Sequence, residues 1–126
     1  TNCDDMSQPT AIIDWRLSND SSIREGFYST DGDLTNRFFL DLLPPNGTQE
    51  DYRLLLLTEH HDKLHADYPK RYKNFIVSGD SSHTALQAPL FYSQEVDGIP
   101  LNEWTRSLIE PGKKSWRELV EEFIPL

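Results

Sequence analysis

The segment Asn74-Phe75-Ile76-Val77-Ser78, running directly into Gly79-Asp80-Ser81-Ser82-His83-Thr84, constrains this chain more than any other stretch. An apolar run centred on Phe75, Ile76 and Val77 and bounded by a glycine reads as a buried strand. The polar residues after it read as a compact turn at the strand's carboxyl end. Such a strand needs neighbouring strands for its backbone and cover for its faces, and the rest of the chain has to supply both.

The remaining elements follow from spacing and punctuation. Residues 1–10 are polar and read as loop, residues 11–15 as a short strand, and residues 18–22 as a polar break. Residues 23–30 read as a second strand ending in the turn Asp31-Gly32-Asp33. The spacing of Leu34, Phe38 and Leu42, with Phe39 and Leu43, predicts a helix over 34–43 with Asp33 as its N-cap. Pro44-Pro45-Asn46-Gly47 stops that helix, and a long helix over 48–67 follows, ended by Pro69. Residues 90–98 read as strand or hairpin. Two amphipathic helices, 101–110 and 113–122, close the chain, the first carrying Trp104 and the second Trp116, both expected in the core.

This order is that of an α/β layer architecture. Two or three strands are too few for a parallel sheet covered on both faces. Hydrophobic residues make up only 37% of the 126 residues, and the mean hydropathy is −0.62. Residues 1–126 therefore read as the C-terminal part of a single larger domain. The net charge of −9 sets nucleic acid aside as a partner, because phosphates need basic residues to neutralise them. No apolar run reaches about 18 residues, so no membrane span is expected, and no basic-then-apolar stretch marks a targeting segment. One cysteine, Cys3, leaves no internal disulfide framework and no cysteine-based zinc module.

Chemistry concentrates in two turns. In open α/β sheets, ligands sit beyond the carboxyl ends of strands. A carboxylate from Asp31 or Asp33 followed in the chain by His83 has the order of the last two members of an α/β-hydrolase triad. In such a pair the carboxylate fixes the imidazole tautomer while the imidazole takes a proton from a hydroxyl. Asp and His in turns are common, so spacing alone is a weak signal. Among other candidates, His61 and His65 stand four apart on the long helix, the spacing of a metal face, but no third ligand is evident and Glu59, His60 and Asp62 read as solvated surface. Residues 54–57, four leucines, read as helix core, and Asp80 as a cap of its own turn. Thr1 has only its position to suggest an N-terminal nucleophile.

The words around His83 carry a resemblance. Residues 74–86, then Pro89-Leu90-Phe91-Tyr92 and Val96-Asp97-Gly98-Ile99-Pro100-Leu101-Asn102-Glu103-Trp104, resemble the C-terminal region of pectinacetylesterase-like proteins. That family of serine carboxylesterases includes plant pectin acetylesterases and the Notum-type carboxylesterases. The likeness spans roughly residues 27–120 and is sharpest over 75–104. It implies an α/β-hydrolase-like sheet with flanking helices and His83 as triad base. The family's acid opens an Asp-x-x-Gln pattern; Asp33-Leu34-Thr35-Asn36 fits it with Asn in place of Gln, and Asp31 is the runner-up.

The family's nucleophile lies in a Gly-x-Ser-x-Gly-like elbow far upstream, and no such segment occurs here. The expectation is a carboxylic ester hydrolase whose acid and base lie on this chain. A preceding part of the domain or a second chain supplies the serine, and this chain alone is inactive. No cofactor is implied, the substrate is a small ester or acylated molecule, and a secreted or periplasmic location goes with the resemblance. The acidic surface disfavours a polyanionic substrate. The alternative is a non-catalytic interaction or assembly module that keeps the fold. A hydrogen bond between Asp33 and His83 favours the enzyme, and wide separation favours the module. The strand at 74–78 is expected to be the most buried element, with both turns at one edge of the sheet and a large apolar face left exposed.

Overall fold

The computed structural model describes residues 9–86 and 89–126, so Thr1 and Cys3 lie outside the described residues. Helix α1, Pro9–Asn19, leads into strand β1, Glu25–Thr30. Helices α2, Leu34–Phe39, and α3, Gln49–Leu56, follow, and α3 continues as a π-helical stretch, Leu57–His65, before β2, Tyr72–Val77. Beyond the polar turn come a single helical turn α4, Leu90–Ser93, and a tight hairpin of β3, Glu95–Val96, and β4, Ile99–Pro100. Helix α5, Leu101–Ile109, and strand β5, Leu119–Val120, complete the order. Strands β1, β2 and β5 form a parallel sheet with β2 at its centre. The architecture is thus mixed α/β, a small three-stranded parallel sheet with flanking helices.

The side chains of β2 alternate between two covered faces, which is why its sequence is a nearly continuous apolar run. Phe75 and Val77 pack with Leu101, Trp104 and Leu119 on one face. Tyr72 and Ile76 meet Leu17, Leu64, Tyr52 and Leu56 on the other. Asn74, Phe75 and Ile76 have no exposed surface, so the strand expected to be deepest lies fully inside.

Four elements differ from their sequence reading. Residues 11–15 are helical, inside α1. Pro9 occupies the first turn, where its missing N–H costs nothing, and Thr10, Ile13 and Leu17 fall on one face at i, i+3 and i+7. Leu17 packs on Leu64 and Tyr72, and this packing overrides the strand preference of Ile12 and Ile13. Helix α2 has Asp33 as N-cap, as expected, but ends at Phe39 instead of Leu43. Asp41 takes a left-handed conformation, φ 57°, Leu42 N donates to Arg37 O at 2.7 Å and Asp41 N to Phe38 O at 3.2 Å. That pair of bonds is a Schellman close.

Residues 90–98 begin as the helical turn α4 before the hairpin, whose Asp97 and Gly98 both take positive φ. The helix expected over 113–122 is absent. Its apolar spacing is real, but Leu119 and Val120 extend the backbone ladder of β2, and Glu121 N donates to Ile76 O at 3.0 Å. Trp116 therefore sits on a loop, packed against Trp104 with ring centroids 5.6 Å apart and planes tilted by 33°. Within the leucine run Leu56 is core, while Leu54 is 66% exposed and Leu55 also faces outward. Leu34, Phe38, Phe39 and Leu40 form a further exposed apolar group on and just after α2.

Candidate active site

Because β1 and β2 are parallel neighbours in register, Thr30 beside Val77, the turns that follow them emerge at the same edge of the sheet. Asp31 N donates to Val77 O at 2.9 Å, and Gly32 N to Asp80 O at 3.1 Å. Thr30 Oγ1 donates to Ser82 O at 2.7 Å. These three bonds hold the two turns side by side.

The turns bring His83 to Asp33. Its Nδ1 lies 2.9 Å from Oδ2 and 3.2 Å from Oδ1 of that carboxylate. Asp33 is 1% exposed, whereas the His83 side chain is 47% exposed. The carboxylate also accepts from the Asn36 backbone N at 2.8 Å and from Asn36 Nδ2 at 3.0 Å. Asn36 Nδ2 donates in addition to the buried Tyr52 hydroxyl at 3.0 Å. The Asn that stands where the Asp-x-x-Gln pattern has Gln therefore contacts the acid directly. A carboxylate acceptor at Nδ1 keeps the proton there and leaves Nε2 free to accept one.

Asp31 has a different set of partners. It is fully buried and accepts from Gln49 Nε2 at 2.7 Å, Arg53 Nη1 at 3.1 Å, Gly79 N at 3.1 Å and the Ser78 hydroxyl. Those partners in turn hold the last residues. Gln49 Nε2 donates to Ile124 O at 2.8 Å, Leu126 N donates to Gln49 Oε1 at 2.9 Å, and Ile124 N donates to Ser78 Oγ at 2.7 Å. The runner-up acid ties the carboxyl-terminal segment to the sheet and makes no hydrogen bond to His83.

Asp80 shapes the His83 turn, as its sequence position suggested. It accepts from Ser82 N at 2.6 Å and from Gln94 Nε2 at 3.0 Å. Burial pushes its carboxyl up, but the hydrogen bonds from Ser82 and Gln94 outweigh burial and hold it below the ordinary value. The histidines of the π-helical stretch are structural. His61 Nδ1 pairs with Glu118 Oε2 at 2.7 Å, and His65 Nδ1 bonds Tyr72 O at 2.7 Å. Among the described residues no group of three or more His, Cys, Asp or Glu is placed to hold a metal.

His60, read as surface, is largely buried. It stacks on Phe27 at 3.8 Å, and its Nδ1 lies 2.7 Å from the Tyr72 hydroxyl. Burial lowers its imidazole to about 4. The π winding explains the miss: its i→i+5 spacing brings His60 and His65, five positions apart, both to Tyr72. Arg53 and Gln49 were also missed, and no local motif marks them. Comparison with family models, curated proteins and solved structures gives no match. Geometry and chemistry alone bear on function.

What the site can do follows from its parts. A buried carboxylate behind a half-open imidazole is a general base for a hydroxyl or water placed at Nε2. Among the described residues no hydroxyl or thiol is hydrogen-bonded to His83, whose side chain bonds Asp33. No helix among them is long and apolar enough to cross a membrane.

Proposed function

We propose that this chain supplies the acid and the base of a carboxylic ester hydrolase of pectinacetylesterase-like type, built on an α/β-hydrolase-like sheet. The serine comes from another part of the domain or from a second chain. One observation carries the reading: Asp33 and the Nδ1 of His83 are 2.9 Å apart, at the carboxyl ends of adjacent parallel strands. In that position the serine Oγ attacks the ester carbonyl while His83 Nε2 takes its proton. Asp33 stabilises the imidazolium that forms, and His83 then gives the proton to the departing alkoxide. Water repeats the sequence on the acyl-serine and frees the acid. The triad needs no metal or organic cofactor, and without the serine there is nothing on this chain to acylate.

The test is hydrolysis of a small acetyl or butyryl aryl ester by the complete protein. His83→Ala is expected to lower kcat by several orders of magnitude, about 10³-fold or more, with KM nearly unchanged, because the imidazole acts only as the proton moves. Asp33→Asn is expected to be damaging as well, since an amide donates to Nδ1 and leaves the wrong tautomer facing the serine. A His83→Ala enzyme within about tenfold of the parent, a gap of ~1.4 kcal/mol, overturns the assignment.

A further inference from the structure

Ser82 directly precedes His83, and both of its backbone groups are tied down. Its carbonyl accepts from Thr30 Oγ1 at 2.7 Å, and its N–H donates to Asp80 Oδ1 at 2.6 Å. Peptide units are rigid planes, so these two bonds fix the planes on either side of the Ser82 Cα. The second of those planes contains the backbone N of His83. The direction in which the His83 side chain leaves the turn is therefore set one residue upstream.

The first tie runs to β1 directly, and the second runs there through two side chains. Asp80 accepts at its other oxygen, Oδ2, from Gln94 Nε2 at 3.0 Å. Gln94 Oε1 accepts in turn from the Tyr28 hydroxyl at 2.5 Å. Each link is itself held. Tyr28 stands beside Phe75 in the parallel ladder, with the two rings 6.2 Å apart. Gln94 is buried, its N–H donating to Leu90 O and its carbonyl accepting from Leu101 N. Burial pushes the Tyr28 hydroxyl up to about 12, so it stays a donor throughout the neutral range.

Tyr28 and Thr30 belong to the strand that also ends in the Asp33 turn. Acid and base are thus both referenced to β1, and their separation does not depend on the polar turn holding its own shape. Packing on Phe75 needs only the ring of Tyr28, whereas the tie to Asp80 needs its oxygen. We propose, resting on the assignment of His83 as base, that Tyr28 is a positioning residue for it, acting through Gln94 and Asp80. The phenol bonds Gln94 and neither Asp33 nor His83; it holds the turn from which the imidazole projects.

Tyr28→Phe removes one oxygen and keeps the ring. In the complete protein, aryl ester hydrolysis is expected to lose about 10- to 100-fold in kcat, the scale of a misplaced catalytic group, with KM unchanged. In the chain, the ring nitrogen shifts of His83, read through its carbon-bound protons at about pH 8, report the tautomer without hydrolysis. The parent is expected to hold the proton on Nδ1, and Tyr28→Phe to give a mixture with the Nε2–H form. Adding Gln94→Met replaces both partners by apolar groups, which is nearly neutral for stability. The urea midpoint of this double variant is expected to return toward the parent while kcat stays as low as in Tyr28→Phe alone. Recovery of kcat together with stability makes the bond merely structural and overturns the proposal, as do parental shifts and kcat in Tyr28→Phe. Tyr28 and His83 border one cavity of about 320 Å³, so a raised KM with unmoved shifts assigns the phenol to substrate contact and overturns it too. If the shifts move while His83→Ala leaves hydrolysis intact, the positioning of His83 stands and the esterase assignment falls.

Discussion

Gly32 lies against the backbone carbonyl of Asp80: its N–H donates to that oxygen at 3.1 Å, and a Cβ at this position would stand 2.4 Å from it. The two turns touch through their backbones, and only glycine permits the approach. Gly32→Ala is expected to push the turns apart, at a cost of about 1–3 kcal/mol, and to separate Asp33 from His83. Urea denaturation reads the first effect, and the downfield Nδ1–H resonance of His83 reads the second. A variant with parental stability and an unchanged His83 resonance contradicts this account.

Asp31 and Asp33 are expected to separate by assay. Asp31→Ala leaves Arg53, Gln49 and the Ser78 hydroxyl without their shared acceptor, and breaking a buried pair costs about 3–5 kcal/mol. Asp33→Asn keeps an N-cap acceptor for α2, so its stability is expected to stay within about 1 kcal/mol of the parent. Equilibrium unfolding of the two variants checks this, and the reverse ranking contradicts it.

His60 gives the fold a pH dependence of definite sign. Its imidazole titrates at an ordinary 6.5 in the unfolded chain and at about 4 in the folded one. Between those values the unfolded state holds a proton that the folded state lacks, so stability rises with pH across the window and is lost as pH falls. The full loss, reached below the lower value, is about 3 kcal/mol. His60→Phe is expected to flatten the unfolding free energy between pH 6.5 and 4. Asp80 acts lower: its depressed carboxyl contributes stability above the ordinary carboxylate value, and that contribution is lost as pH falls through the folded value.

Glu118 joins the third strand to the second. Its Oε1 accepts from Asn74 N, and its Oε2 accepts from Asn74 Nδ2 at 2.7 Å and lies 2.7 Å from His61 Nδ1. Glu118→Ala strands the buried Asn74 donors, at a cost of about 1–3 kcal/mol. Hydrogen exchange at Glu121, whose amide donates to Ile76 O, is expected to accelerate as β5 loosens. Unchanged exchange there places the anchor of β5 elsewhere.

The parts of the fold legible in the sequence are those fixed by neighbours in the chain. β2 announces itself because both of its faces are buried, and Asp33 because a helix start needs an acceptor for its amides. That the His83 turn lies beside the Asp33 turn was legible because both follow strands of one sheet. What escaped depends on distant partners. Residues 11–15 have the β-branched content of a strand, yet Leu64 and Tyr72, remote in sequence, select the helix. Leu119 and Val120 have helical spacing, yet a vacant ladder on β2 selects the strand. Asp31 and Asp33 stand in the same turn with the same chemistry. Only Gln49, Arg53 and Ser78, 18, 22 and 47 positions away, distinguish the one bound to the tail from the one bound to His83.

That tail has a consequence for how the molecule is made. Gln49 reaches Ile124 across 75 positions of sequence, and Asp31 depends on Gln49, Arg53 and Ser78, all of which also grip the tail or stand beside it. On a ribosome adding about 5–20 residues per second, the ~90 residues between Asp31 and Ile124 take roughly 5–20 s to appear. Through that interval the floor of the site holds a carboxylate whose network is incomplete. The two turns that carry Asp33 and His83 therefore complete the network beneath them only after residues 121–126 have been made. Loss of those residues is expected to leave Gln49, Arg53 and Ser78 without the backbone groups they hold.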